Sequence, residues 1–277
     1  MPVSLRTFYR FFRRFSCCRA VFSALNAELD QSVPALEAAS HLLGAGVARS
    51  GLTCGILIGS LMSAGVALYG RFAVDGTPAW IAAAREIADG FRRLSRGRLT
   101  CAQLTGVDFS KRYGFWSYIF SVRWAVCAPL AARQAGYALS VIERHRAASS
   151  AGDVEFLYCG ERAVDAGPLD GDLKGSARAA TSTLFCGCAS TGQLCGALAA
   201  RILVAGLEST GGRLGLARAA GAELFDPDAL YTRAREVLES FSSRFGSPLC
   251  REILGRECSC EELNEILASH PCSLMFS

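Results

Sequence analysis

Cysteine is the residue type through which this chain could do redox or metal chemistry. Four of its 13 cysteines stand among closely spaced glycines in the second half of the chain. They are Cys159, Cys188, Cys195 and Cys250, and the glycines are Gly187, Gly192 and Gly196. Thiolates bind soft metal ions and exchange disulfides, and glycine lets the backbone approach a bound group. The sequence therefore predicts a redox or metal site at these cysteines.

Two of these cysteines are predicted near helix starts. Cys195 follows the turn-forming segment 190–192 and begins an Ala- and Leu-rich stretch, while Ser247 and Pro248 place Cys250 in a first helical turn. Backbone N–H groups and the helix dipole stabilise a thiolate at such positions. We therefore expect the pKa of both thiols below its ordinary value of about 8.5.

Other kinds of catalytic or metal site find little support. The three histidines do not stand near cysteines in a zinc-finger spacing, and there is no Cys-x-x-Cys, P-loop, His-Glu-x-x-His or Ser/His/Asp arrangement. There is no Cys-x-x-Cys-His either, so covalent haem of the c type is not expected. Whether the protein is an enzyme is left open. Cysteines are also common in apolar cores, and for Cys127, Cys186 and Cys272 taken singly we favour that structural interpretation.

The chain contains an internal repeat. Residues 46–66 align with 187–207 at a constant shift of 141, with eight identities in 21 positions, where chance would give roughly two. The same shift pairs Cys18 with Cys159, although Cys17 remains an alternative, and Cys101 pairs with Cys250 at a shift of 149. The first repeat has Val47 in place of Cys188, so Cys18, Cys54 and Cys101 form a weaker site.

Helical signals dominate both copies. Thr77-Pro78 and Asp226-Pro227 each resemble a helix start and are followed by apolar residues at helical spacing. The predicted fold is all-α, with two tandem, pseudo-symmetric small helical bundles. We place the first repeat at 1–115, a helical connection at 116–156 and the second repeat at 157–277. The apolar segment 52–70 is interpreted as a buried helix, and membrane contact there stays open.

The order of cysteines and glycines resembles the C_GCAxxG_C_C family of redox-active proteins. The second repeat matches the whole pattern with Cys159, the segment 187–192, Cys195 and Cys250, and the first repeat resembles a degenerate member. The resemblance implies a helical domain of redox function related to the non-haem-iron part of split-Soret cytochromes. A single domain is usual in that family, so the tandem form departs from it.

Charge and targeting signals restrict the partners. A net charge of +4 over 277 residues gives no reason to expect nucleic acid. Residues 5–15 interleave arginines with aromatic side chains and could touch a membrane surface. No secretory signal follows, so a cytoplasmic location is expected, with peripheral membrane association as an addition.

Three functions follow from these observations. The first is an iron–sulfur cluster or iron ion on the four cysteines of the second repeat, serving electron transfer to an unidentified redox partner. The second is a dithiol/disulfide relay without metal, in which Cys195 or Cys250 attacks and Cys188 resolves. The third is a membrane-associated helical binding or accessory protein whose cysteines are mainly structural.

Overall fold

The computed structural model describes residues 1–14, 16–109, 111, 113–154, 157–209 and 227–256. These residues are mainly helical, and the predicted all-α class with two repeated units is confirmed. The first half contains α1 (Val3–Arg14), α2 (Cys17–Glu28), α3 (Pro34–Ala39), a 3₁₀ turn (Ser40–Leu43), α4 (Gly55–Leu68), α5 (Ala79–Leu94), α6 (Cys101–Thr105), α7 (Gly114–Phe120) and α8 (Trp124–Ala147).

The second half repeats the order of the first. It contains α9 (Cys159–Asp165), α10 (Gly171–Thr181), a 3₁₀ turn (Ser182–Leu184), α11 (Phe185–Cys188), α12 (Gly196–Ser209), α13 (Pro227–Phe245) and α14 (Cys250–Leu254). Two short antiparallel strands, β1 (Arg71–Ala73) and β2 (Ser149–Ala151), pair Phe72 with Ser150 and tie the end of α8 to the first repeat.

The two bundles interlock and share one continuous apolar core. Gly65 of α4 packs against Ala179 of α10, and the equivalent Gly206 of α12 packs against Ala39 of α3. The central helices of the two repeats, α4 and α12, therefore make equivalent contacts. Helix α4 packs on α10 of the second repeat, and α12 packs on α3 of the first. The backbone N–H of Leu194 donates to the Thr53 hydroxyl at 3.0 Å, and these two residues are themselves equivalent at the shift of 141. A pseudo-two-fold axis therefore passes between them.

Helix α4 lies inside the protein, as the interpretation of segment 52–70 requires. All but two of its residues are buried, and glycines allow its close packing, with a Cβ at Gly59 lying 2.5 Å from the carbonyl oxygen of Cys18. Among the described residues, α8 is the helix long and apolar enough to cross a membrane, and half of its most apolar stretch is buried in the protein. Core helices often have this character.

Gly65→Ala tests the packing between the repeats. The new Cβ would collide with the backbone carbonyl of Ala179, so we expect a loss of about 2 kcal/mol in the free energy of unfolding. Gly175→Ala in α10 is the matched control, since nothing lies within 4 Å of its added Cβ, and it should stabilise the protein by up to about 1 kcal/mol. Denaturant unfolding measures both variants, and equal effects would contradict this packing.

Candidate functional site

A left-handed loop stands at the centre of each repeat. Residues 45–49 and 186–190 all have positive φ, an unfavourable conformation for side-chain-bearing residues. Two backbone N–H groups close each loop: Gly51 donates to Ala45 O at 3.3 Å and Leu52 to Gly46 O at 2.9 Å in the first repeat, and Gly192 donates to Cys186 O at 3.2 Å and Gln193 to Gly187 O at 3.0 Å in the second. A Cβ at Gly187 would lie 2.6 Å from the nitrogen of Gln193, so only glycine fits there. The glycines of the repeated pattern therefore form a tight turn.

Reciprocal backbone hydrogen bonds join two distant cysteines in the second repeat. The N–H of Cys195 donates to Pro248 O at 2.9 Å, and the N–H of Cys250 donates to Gln193 O at 2.8 Å. This arrangement is a short antiparallel bridge centred on Leu194 and Leu249. It holds the backbones of Cys195 and Cys250 side by side, although α12 and α13 lie between them in sequence.

The first repeat has the same bridge. The N–H of Cys54 donates to Leu99 O at 2.9 Å, and the N–H of Cys101 donates to Leu52 O at 2.7 Å. Thr53 and Thr100 occupy the positions of Leu194 and Leu249. The backbone that presents the cysteines is therefore equally well formed in both copies.

Cys17 is the structural counterpart of Cys159. A Cβ at Gly55 would lie 2.7 Å from the Cys17 sulfur, and one at the equivalent Gly196 would lie 2.8 Å from the Cys159 sulfur. The constant shift selects Cys18 instead, but Cys18 interacts electrostatically with Cys188 of the second repeat. The structure thus brings Cys17, Cys54 and Cys101 together, and it places Cys18 towards the other copy.

Six cysteines stand at helix N-termini. Cys17, Cys101, Cys159 and Cys250 are the first residues of α2, α6, α9 and α14, while Cys54 and Cys195 immediately precede α4 and α12. Backbone N–H groups of Ala197 and Leu198 lower the pKa of Cys195, but burial outweighs them and raises it. The expected low pKa of Cys195 is therefore wrong, because desolvation raises this pKa more than the N–H groups at the helix N-terminus lower it.

The second-repeat cysteines lie in an apolar interior. All four are buried, and Cys188 donates weakly through its sulfur to Leu194 O at 3.7 Å. Burial raises the pKa of Cys188 strongly, and the neighbouring Cys195 raises it further. On Cys195, the positive charge of Arg201 of α12 favours the thiolate and lowers the pKa, against the effect of burial. Cys186 is disulfide-bonded, whereas Cys258, Cys260 and Cys272 lie outside the described residues.

The first repeat also contains a cysteine for which the sequence favoured a structural interpretation. Cys127 of α8 lines one small cavity together with Cys17, Cys54 and Cys101. Cys127 lies between the two aligned segments, so the repeat shifts pair it with no cysteine of the second repeat. As their side chains stand, no group of three or more His, Cys, Asp or Glu in the described part of the chain is arranged to hold a metal ion.

The cysteine and glycine geometry corresponds to a known family pattern. The profile of the family described as "Putative redox-active protein (C_GCAxxG_C_C)" matches residues 15–139 and 158–275. The chain belongs to this family. Its tandem form is confirmed by the two matches, and the first extends through Cys127 into α8. No curated protein and no solved structure matches the chain.

The C_GCAxxG_C_C family is described as redox-active, and its members include this chain. The match includes every predicted site cysteine in both copies, together with the glycine turns. The first match also extends over part of the predicted connection 116–156, as far as residue 139. The boundary at 115 stays a prediction.

A buried carboxyl beside the site gives a pH-dependent stability. Glu161 accepts hydrogen bonds from the Tyr69 hydroxyl at 2.7 Å and from the N–H of Tyr158 at 2.8 Å, next to Cys159. Burial, partly opposed by these two bonds, raises its pKa to about 7. The folded state then binds more protons than the unfolded state between pH 4.5 and 7. Stability is therefore lost as pH rises through that range.

We expect a loss of about 2 to 3 kcal/mol from this group between pH 4.5 and 8. Glu161→Gln keeps a partner for both Tyr69 and Tyr158 and should remove that part of the pH dependence. Thermal unfolding across the pH range measures it in both proteins. Asp75→Asn is a matched control at an exposed carboxyl, and a Glu161→Gln profile that still falls like the wild-type profile would contradict the assignment.

Proposed function

We propose that the second repeat holds an iron–sulfur cluster or an iron ion on Cys159, Cys188, Cys195 and Cys250 and serves in electron transfer. One observation carries this proposal: the four cysteines of the family pattern are all buried, and backbone contacts bring three helix N-termini together around them. Cysteine thiolates are the usual ligands of iron–sulfur clusters. The donor set fits such a centre in number and in chemistry.

Burial favours metal ligation over free thiol chemistry. At neutral pH the raised pKa of Cys188 and Cys195 keeps both protonated, and a protonated buried thiol is a poor nucleophile. A bound cation changes this balance because it displaces the thiol protons and compensates part of the negative charge that burial disfavours. Ligation requires the side chains to rotate from their present placement, and thiol χ1 angles have three staggered positions available.

When bound, an iron centre supplies one-electron redox chemistry. The residues of the chain set its environment. Backbone N–H groups of Ala197 and Leu198 point at the Cys195 sulfur, and Arg201 adds positive charge nearby. Hydrogen bonds and positive charge at thiolate sulfurs favour the reduced, more negative state and raise the reduction potential. Burial of all four cysteines keeps water from the site.

A dithiol relay is the second candidate, because Cys188 and Cys195 are close enough to interact electrostatically. Oxidation would join their sulfurs in a disulfide and release two protons and two electrons to a disulfide-bearing partner. Access is the difficulty: Cys188 is wholly buried and Cys195 is 4% exposed, so a partner disulfide cannot reach either sulfur without local opening. The relay is therefore the less favoured function.

Cys195→Ala tests the iron proposal. Protein purified without oxygen should contain iron and show visible absorption, and both should be lost from the second repeat when this ligand is removed. Cys18→Ala is the matched control, since it removes a buried cysteine outside both sets of proposed ligands. Iron analysis, acid-labile sulfide and visible spectra give the result. Colourless, iron-free wild-type protein would overturn the proposal, and a Cys188–Cys195 disulfide in peptide mapping would then support the relay.

Membrane contact through α1 is a third proposal, compatible with a cytoplasmic location. Leu5, Phe8 and Tyr9 are exposed on this helix, which also carries Arg6, Arg10 and Arg13. Apolar and cationic groups on one surface helix favour anionic lipid. We expect the chain to bind anionic vesicles and not zwitterionic ones, with binding weakened several-fold by Arg10→Glu. Sedimentation with vesicles measures this, and Arg162→Glu in the second repeat is the control; equal loss in both variants contradicts a role for α1.

A further inference from the structure

The first repeat contains a cavity lined by four thiols from four elements. Cys17 begins α2, Cys54 precedes α4, Cys101 begins α6, and Cys127 lies in the first turns of α8. All four line the same space, whose volume is about 30 Å³. None of the four is disulfide-bonded. By the family pattern this copy is incomplete because Val47 replaces a cysteine, yet the fold supplies a fourth thiol from another helix.

The four thiols line one cavity and interact electrostatically with one another. The thiol of Cys17 acts electrostatically on each of Cys54, Cys101 and Cys127, and Cys101 also responds to Cys54 and Cys127. Cys18, the neighbour of Cys17 in sequence, does not line the cavity. The arrangement is therefore a cluster around one point and not a scatter of unrelated core cysteines.

Polar groups that stabilise negative charge point at these sulfurs. Backbone N–H groups of Ala45 and Gly55 act on Cys17, and those of Ile56 and Leu57 act on Cys54. The Tyr118 hydroxyl forms a hydrogen bond with Cys127 and lowers its pKa. Burial nevertheless dominates and raises the pKa of Cys127 to about 12. As free thiols the four are thus protonated at neutral pH, although their surroundings are arranged for thiolates.

The size and lining of the cavity restrict its ligand. Apart from the thiols and Tyr118, the described lining is apolar, with Phe11, Ile56 and Leu104 among its residues, and it carries no charged side chain. A volume of about 30 Å³ accommodates a water molecule or a single ion and is far below that of an organic ligand or cofactor pocket. Four sulfur donors without carboxylate or imidazole select a thiophilic cation over magnesium or calcium.

We propose that Cys17, Cys54, Cys101 and Cys127 bind one divalent thiophilic metal ion, of the zinc or iron(II) class, at a site separate from that of the second repeat. Binding replaces four S–H bonds with four metal–sulfur bonds and releases four protons to solvent, which leaves a site of net charge −2. The Tyr118 hydroxyl and the backbone N–H groups stabilise that charge. No oxidant or reductant takes part. The thiol side chains must rotate on binding, because no group of three or more in the described part of the chain is yet arranged to hold a metal ion.

Cobalt(II) is a suitable probe because its thiolate complexes absorb strongly in the near ultraviolet. The test uses the full chain, reduced and metal-free, with Cys188→Ala and Cys195→Ala to disable the second-repeat site. We expect about one Co²⁺ bound per chain, with thiolate charge-transfer absorption and proton release. Addition of Cys127→Ala should weaken binding by about a hundredfold or more, whereas the matched control Cys18→Ala should leave it unchanged.

Tyr118→Phe keeps all four thiols and most of the packing. Its result therefore does not depend on whether the protein still folds after a core cysteine is removed. Loss of its hydrogen bond should weaken Co²⁺ binding by about tenfold. Equal binding by the Cys127→Ala and Cys18→Ala variants, or no binding by the parent variant, would overturn the proposal. This test is independent of the iron measurement on the second repeat. The variants used for Co²⁺ binding lack Cys188 and Cys195, and a loss of iron in Cys195→Ala does not test Cys127.

Discussion

In each repeat, the thiol site depends on one pair of reciprocal backbone hydrogen bonds, which brings two cysteines from distant parts of the sequence together. The pair joins the residue before one helix to the first residue of another, so Cys54 meets Cys101 and Cys195 meets Cys250. Backbone bonds do not depend on side-chain identity, which explains why the bridge survives with threonines in one copy and leucines in the other. The left-handed glycine turn is needed because the chain must reverse just before this bridge. Because these contacts are made by the backbone, the site can keep its backbone structure when its side chains are replaced.

Two opposing electrostatic effects act on the thiols within that frame. Helix N-termini and backbone N–H groups favour the thiolate, while burial disfavours any charge. Burial prevails in the metal-free protein for Cys17, Cys54, Cys101 and Cys195, whose pKa values are all raised. In our proposal a bound cation reverses the outcome, because it compensates part of the charge that burial opposes and leaves the N–H groups with thiolates to bind. The same surroundings are therefore poor for a free nucleophile and good for a metal thiolate.

Sequence patterns predicted the parts of this protein that depend on local order. The repeat, the helical class and the clustering of Cys195 with Cys250 follow from residues whose spacing is preserved between the copies. The choice between Cys17 and Cys18 did not follow, because one residue of shift at a helix start moves a side chain by about 100° around the axis. Cys127 was missed for a different reason: its contribution depends on how α8 folds back over the first repeat. The pKa of Cys195 was misjudged because helix position is visible in sequence and depth of burial is not.

The contact between the repeats has the character of a symmetric dimer interface within one chain. Thr53 meets its equivalent Leu194, and the glycine contacts of α4 on α10 and of α12 on α3 are related in the same way. Such an isologous interface uses one surface twice, so it forms from two identical copies without further adaptation. Joining the copies in one chain removes the requirement that both sites stay the same. Val47 can then replace a cysteine in one loop while α8 contributes Cys127, and the other copy keeps the whole family pattern. The packing between the repeats supports both sites, because each central helix packs on a helix of the other repeat.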